Sequence, residues 1–285
     1  MNTCDFETRH DLIDMIRLES ILERAKGEVV LETKARDGQS AIRRLRQSGS
    51  LKCLFPRRDG ASLEAVLLNC AGGVTGGDQF SLSVRAEPRT TLTLTTQAAE
   101  RIYRALPGET GQVHAHLEVE KGARINWLPQ ETILFDGCCL NRSLTIDLSE
   151  DAKLLMAEPL VFGRFEMGEA LHCASFLDCI EIRRDGNPIF LERIGLQSDV
   201  QATLNRLGIA VGAHTMASLV YVADDADAKR DLLHRMLPRH AGVSLIHDDV
   251  LNIRLLAKDS DELRSNLIPI LKHLNKGVIP KCWII

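Results

Sequence analysis

Aromatic side chains are scarce in this chain: two Trp, two Tyr and eight Phe among 285 residues, or 4%. It therefore lacks the stacking platforms that hold single-stranded nucleic acid. A basic excess is also missing. Lys and Arg total 35 against 39 Asp and Glu, a net charge of -4, which argues against a nucleic-acid partner. No apolar run approaches the ~18 residues of a membrane-spanning helix, so no membrane partner is expected. The N-terminal stretch MNTCDFETRHDLIDMIRLE is charged throughout and lacks the apolar core of a secretory signal, which makes a cytoplasmic location the expectation. The eight cysteines include no C-x-x-C pair, so zinc of the finger or ribbon type is not expected and reduced thiols are. Metalloprotease, nucleophile-elbow and kinase signatures are absent too.

What is present reads mainly as strands. Val29 to Leu31, Leu63 to Leu68, Phe80 to Val84, Thr90 to Thr96, Val113 to Val119, Leu144 to Leu148 and Ile180 to Arg183 are short runs rich in β-formers. In Thr91-Leu92-Thr93-Leu94-Thr95 the leucines face one side and the threonines the other. Turn signals punctuate the runs at Lys121-Gly122, Asp136-Gly137 and Asp185-Gly186-Asn187-Pro188. Strands at this spacing without helices between them predict stacked or wrapped β-sheets, sandwich-like or β-helix-like, rather than βαβ units. Two α-helices are expected in the C-terminal third. One spans Asp224 to Leu237 and is stopped by Pro238; the other spans Ser260 to Asn275, capped by Ser260 and kinked or shortened by Pro269. A third helix is expected at Asp11 to Arg24.

Five features could carry chemistry. The turn Gly72-Gly73-Val74-Thr75-Gly76-Gly77-Asp78 has phosphate-loop spacing, but Asp78 stands where a lysine is needed and would repel phosphate. His114 and His116 lie on one side of a strand and could hold a metal, the basis of an alternative reading as a metal-dependent hydrolase. Lys34 to Arg58 is a basic segment, either a solvated face or a docking surface for an acidic partner. The run Trp127 to Gly137 sets Glu131 and Asp136 inside apolar sequence, and Glu158 and Glu169 repeat that theme in Glu158-Pro159-Leu160-Val161-Phe162-Gly163-Arg164 and beyond. Buried carboxylates call for a partner, a proton or a metal ion. The tail Cys282-Trp283-Ile284-Ile285 has the outline of a prenylation signal with an atypical last residue, and an apolar terminal segment packed on the body is the alternative.

The strings LLNCAGGVTGGD, LTTQAAERIYRA, WLPQETILFDG and EPLVFGRFEMGE, in that order, closely resemble the urease accessory protein UreD (UreH) family. The chain departs from the family's Asn-Pro-Pro-Gly-Gly with Asn69-Cys70-Ala71-Gly72-Gly73. The resemblance implies an N-terminal extension over 1–27 and a single UreD-like domain over 28–285. It implies an elongated, mostly β protein that is not an enzyme and holds no tightly bound cofactor. It further implies a metallochaperone scaffold that binds urease apoprotein and bridges to the UreF and UreG accessory proteins in a multi-subunit complex. That complex supports GTP-dependent nickel insertion, with nickel in transit through an internal passage. The candidate passage residues are Asp78, Glu131, Asp136, Glu158 and Glu169. The apolar stretch Leu267 to Ile285 is expected to be exposed for docking UreF.

The far-UV circular dichroism spectrum should be dominated by β-structure, with helix below the ~30–35% of an average domain. A helix content at or above that level would contradict both the strand reading and the resemblance.

Overall fold

The computed structural model describes residues 23–57 and 60–284. The expected helix at Asp11 to Arg24 lies outside the described residues but for its last two, as does most of the extension over 1–27.

Two sheets face each other. The first runs, edge to edge, β14 (Asn187–Ser198), β13 (Ala174–Arg184), β11 (Cys139–Leu148), β8 (Gly111–Val119), β5 (Gln79–Ala86), β1 (Lys26–Arg36) and β2 (Gln39–Gly49). The second runs β16 (Ala241–His247), β17 (Val250–Ala257), β15 (Thr215–Val222), β12 (Lys153–Phe162), β9 (Arg124–Leu128), β6 (Thr91–Thr96), β4 (Leu63–Asn69) and β3 (Leu51–Leu54). Beside β12 lies β10 (Thr132–Leu134), and beside that β7 (Glu100–Ile102). From β4 to β13 the chain winds between the layers, so neighbours within a layer come from successive coils and pair in parallel. The crossover that parallel pairing requires is therefore a strand of the facing sheet instead of a helix. This is the wrapped-sheet arrangement expected from the strand spacing. Antiparallel pairs finish both ends: β1 with β2 and β3 with β4, then β13 with β14, β12 with β15, β15 with β17 and β17 with β16.

The C-terminal third holds the three α-helices of the described residues: α1 (Val200–Leu204), α2 (Ala226–Met236) and α3 (Ser260–Leu274). The first was not expected. The cap of α3 is Asp259, one residue earlier than expected, whose carboxylate accepts the Glu262 N–H at 2.8 Å. Pro269 stays inside the helix, which runs on to Leu274. None of the helices among the described residues is long and apolar enough to cross a membrane.

The outer face of the second sheet is buried under α2, α3 and the tail. Leu155, Ala157, Leu219 and Tyr221 on the sheet pack with Leu263, Leu267, Ile270, Leu271, Leu274 and Trp283. This corrects the expectation of an exposed docking segment at Leu267 to Ile285: most of its large apolar side chains are the protein's own core. It also explains why the threonine face of β6 is covered, with Thr95 beside Cys282. The tail is anchored by the Trp283 indole N–H on the Leu128 carbonyl at 3.0 Å and by the Gln130 side-chain amide on the Cys282 carbonyl at 2.7 Å. Those bonds favour a packed terminus over a lipid-bearing one. The basic segment is largely neutralised where it forms β2: Arg43 pairs with Glu87, Arg44 with Glu32 at 3.4 Å, and Arg46 with Glu28 at 3.3 Å.

Replacing Trp283 by Ala should cost about 3–5 kcal/mol in urea unfolding, the loss of a large, fully buried ring. A chain ending at Asn266 should fail to accumulate as folded protein. Retained stability in either variant would contradict the assignment of the tail to the core.

Candidate functional site

Along a strand every second residue faces the opposite layer, and those inward positions are apolar at both ends of the sandwich. Between the ends they turn polar. On β11 the inward series is Leu140, Arg142, Leu144; on β13 it is Phe176, Asp178, Ile180; on β12 it is Met156, Glu158, Leu160. In the second sheet Glu158, Ser218 and Arg254 stand in register on β12, β15 and β17. In the first sheet Arg142 is opposite Asp178, and Glu192 on β14 is opposite Ile180, the next inward position of β13. A layer of charge thus crosses the interior and separates two apolar cores.

Arg142 holds the layer together. Its Nε and Nη2 donate to the two Asp178 oxygens at 2.9 and 2.6 Å, and Nη1 donates to Glu158 at 2.7 Å and to Thr132 at 3.1 Å. The Trp127 indole donates to the second Glu158 oxygen at 2.5 Å. Beyond them, Glu192 accepts from Ser218 at 2.9 Å and pairs with Arg254. Three buried carboxylates therefore meet two guanidinium groups. Burial pushes the Glu158 and Glu192 carboxyls above their usual range despite the guanidinium beside each.

A cavity of about 420 Å³ adjoins the layer between the sheets. Arg142, Glu158, Trp127 and Thr132 line its inner end, and Asn69, Cys70, Gly72 and Glu100 line the side toward the glycine turn. The Asn69 side-chain amide donates to both Glu100 oxygens, at 3.2 and 3.3 Å, and to the Gly73 carbonyl at 2.8 Å. Burial, outweighing the Asn69 hydrogen bond, pushes the Glu100 carboxyl up to about 7.

Of the five sequence candidates, Glu158 lines the cavity and the other four carboxylates are engaged elsewhere. Asp78 is buried and accepts the N–H groups of Ala25 and Thr75, both at 2.8 Å, clamping the glycine turn to the start of β1. Glu131 pairs with Arg264 of α3 at 2.7 Å. Asp136 accepts from the Cys173 and His172 N–H groups and from Arg104, at 2.8, 2.9 and 2.7 Å. Partial burial opposes its charge, but those donors win and hold the carboxyl low. Glu169 pairs with Arg164 at 2.9 Å, whose hydrogen bond lowers its carboxyl. His114 and His116 stand on the outer face of the first sheet, bonded to Ser143 at 2.8 Å and Asp147 at 2.7 Å. Among the described residues no group of three or more His, Cys, Asp or Glu is arranged to hold a metal, which leaves the hydrolase reading without its ligand set. Glu100, Arg142, Asp178, Glu192 and Arg254 were not singled out from sequence, although Arg142 and Asp178 each occupy an inward position of an alternating run.

The architecture and interior define a class: a β-coil scaffold with a polar, cavity-bearing interior. Comparison with known proteins gives the family. The UreD urease accessory protein family profile matches residues 25–283. The chain is 57% identical over 255 residues to urease accessory protein UreD of Ruegeria pomeroyi, covering 90% of this chain and 99% of that one. It is 49% identical to the Roseobacter denitrificans protein of the same name (91% and 95% covered) and 40% identical to that of Rhizobium leguminosarum bv. viciae (92% and 96% covered). The chain belongs to the UreD urease accessory protein family.

The raised Glu100 pKa fixes the sign of a pH effect. The folded protein binds a proton here that the unfolded chain has already released, so the stabilisation is present at low pH and is lost as pH rises through about 7. Glu100→Gln removes that loss. Urea unfolding should find the variant gaining about 1–2 kcal/mol on wild type between pH 5.5 and 8.5. A pH-independent difference would contradict the assignment.

Proposed function

We propose that this chain is a cytoplasmic, non-catalytic scaffold for urease maturation, and that nickel crosses it through the interior between its sheets. The family membership supports the urease role. The observation that carries the passage is the cavity of about 420 Å³ opening onto a buried layer with more carboxylates than guanidinium groups. Nickel accepts carboxylate and water oxygens, and transit requires successive weak sites instead of one tight one. Glu100 and Glu158 face the cavity as such sites. Asp78, Glu131, Asp136 and Glu169 remain passage candidates, of which the same assay sorts Glu131 and Asp136. In this reading the unit over 28–285 binds urease apoprotein and bridges to UreF and UreG, with GTP hydrolysis on UreG.

The test measures nickel per urease trimer after co-expression, beside recovery of the complex with UreF and urease. Glu100→Gln and Glu158→Gln keep shape and remove charge. They should lower nickel content several-fold with the complex recovered. Glu131→Gln and Asp136→Asn sort the ion-paired candidates: nickel loss with the complex intact assigns them to the passage, and loss of both assigns them to structure. Full nickel loading in the Glu100 and Glu158 variants would reject the passage.

A further inference from the structure

The outer face of the first sheet carries a second concavity, and it lies on the opposite side of the layer from the cavity above. His114 and His116 project from the same side of β8, while Ala115 between them packs on the inter-sheet core. Two residues apart on a strand, their Cα atoms are about 7 Å apart, within the span of two imidazoles on one ion. The flanking strands present short side chains at the paired positions, Ser81 and Ser83 on β5 and Ser143 on β11. The imidazoles therefore stand in a depression of about 580 Å³.

Each ring already has one nitrogen occupied. His114 Nδ1 lies 2.8 Å from Ser143 Oγ, and His116 Nε2 lies 2.7 Å from a carboxylate oxygen of Asp147. The Asp147 carboxylate accepts from His116 Nε2–H, which fixes that tautomer and leaves the Nδ1 lone pair for a metal, the way metal-binding histidines are supported; the Ser143 hydroxyl supports His114 in the same way when it accepts from Nδ1–H. For His116 the remaining nitrogen is Nδ1, and for His114 it is Nε2. We infer that His114 and His116, supported by Ser143 and Asp147, form a surface site for a borderline divalent transition ion such as nickel, copper or zinc. Two imidazoles completed by water select these ions over magnesium and calcium, which prefer all-oxygen shells. A two-ligand site of this kind exchanges its ion readily. The inference does not depend on the passage reading: His114 and Ser143 border both concavities along their strands, but the proposed ligands are on the outer face and none belongs to the buried layer.

The test titrates the full-length chain with Ni²⁺ against a chromophoric chelator and records Cu²⁺ electron paramagnetic resonance for imidazole-nitrogen coupling. Wild type should show two coupled nitrogens, and millimolar Mg²⁺ should not compete. His114→Gln or His116→Gln should each lower affinity at this site by about tenfold or more and remove one nitrogen. Asp147→Asn should lower it by about tenfold, the usual effect of losing a supporting carboxylate. His234→Gln, which removes an exposed imidazole of α2 away from this face, should leave the coupling unchanged. Both histidines are on the surface, so circular dichroism should confirm that the variants fold. A His114→Gln/His116→Gln variant that binds Ni²⁺ with wild-type affinity and stoichiometry would overturn the site. So would wild-type protein without imidazole coupling.

Discussion

The contact on which the interior depends is the Arg142 guanidinium between Asp178 of its own sheet and Glu158 of the facing one. A guanidinium presents donors in a planar fork, and here three nitrogens are spent on two carboxylates and a threonine hydroxyl. The bonding is good enough to keep three charged groups inside a sandwich whose other inward positions are mostly aliphatic. It does not make the layer a stabilising device. Buried ion pairs of this kind are often matched or exceeded by apolar side chains of similar volume, whereas deleting one member costs about 3–5 kcal/mol because its partners are left uncompensated. Because apolar replacement of such a triad is often neutral in stability, its presence invites a reason beyond stability. In the proposed passage, the adjoining cavity and the third carboxylate, Glu192, supply one: a polar interior to receive a hydrated cation.

The tail and α3 serve the same interior from outside. By covering the second sheet they bury both of its faces, and Arg264 reaches from α3 to Glu131 and Gln130 while Trp283 seats under the same segment. The WLPQE stretch is thus held on one side by the tail while its Trp127 and Thr132 neighbours face Glu158 and Arg142 on the other. Displacement of the terminus would be felt at the wall of the cavity.

Much of this architecture is legible in the sequence because period-2 alternation survives wherever one strand face is buried. Val113 to Val119 and Phe80 to Val84 read as strands for that reason. Elements buried on both faces, or on neither, were harder. The Arg-rich strand β2 reads as a basic patch, since its partners Glu28 and Glu32 lie ahead of the basic segment on β1 and Glu87 lies far beyond it. Lys153 to Phe162 reads as an apolar run with one odd carboxylate. The layer itself was half visible. Glu158 stands out because its neighbours are apolar, but Arg142, Asp178 and Glu192 sit in runs that mix polar and apolar residues, and only strand pairing within the first sheet brings them together. Conversely, Asp78, Glu131, Asp136 and Glu169 stand out in sequence for the same reason as Glu158, yet their partners are backbone N–H groups and arginines that sequence proximity does not reveal.

The central claim is that the buried charge exists for nickel and not for the fold. The most direct measurement replaces the Arg142, Glu158 and Asp178 triad together by Met, Leu and Leu and follows both properties in one preparation. The account predicts unfolding stability equal to or above wild type, normal recovery of the complex with UreF and urease, and urease largely without nickel. Urease fully loaded with nickel by that variant would contradict it.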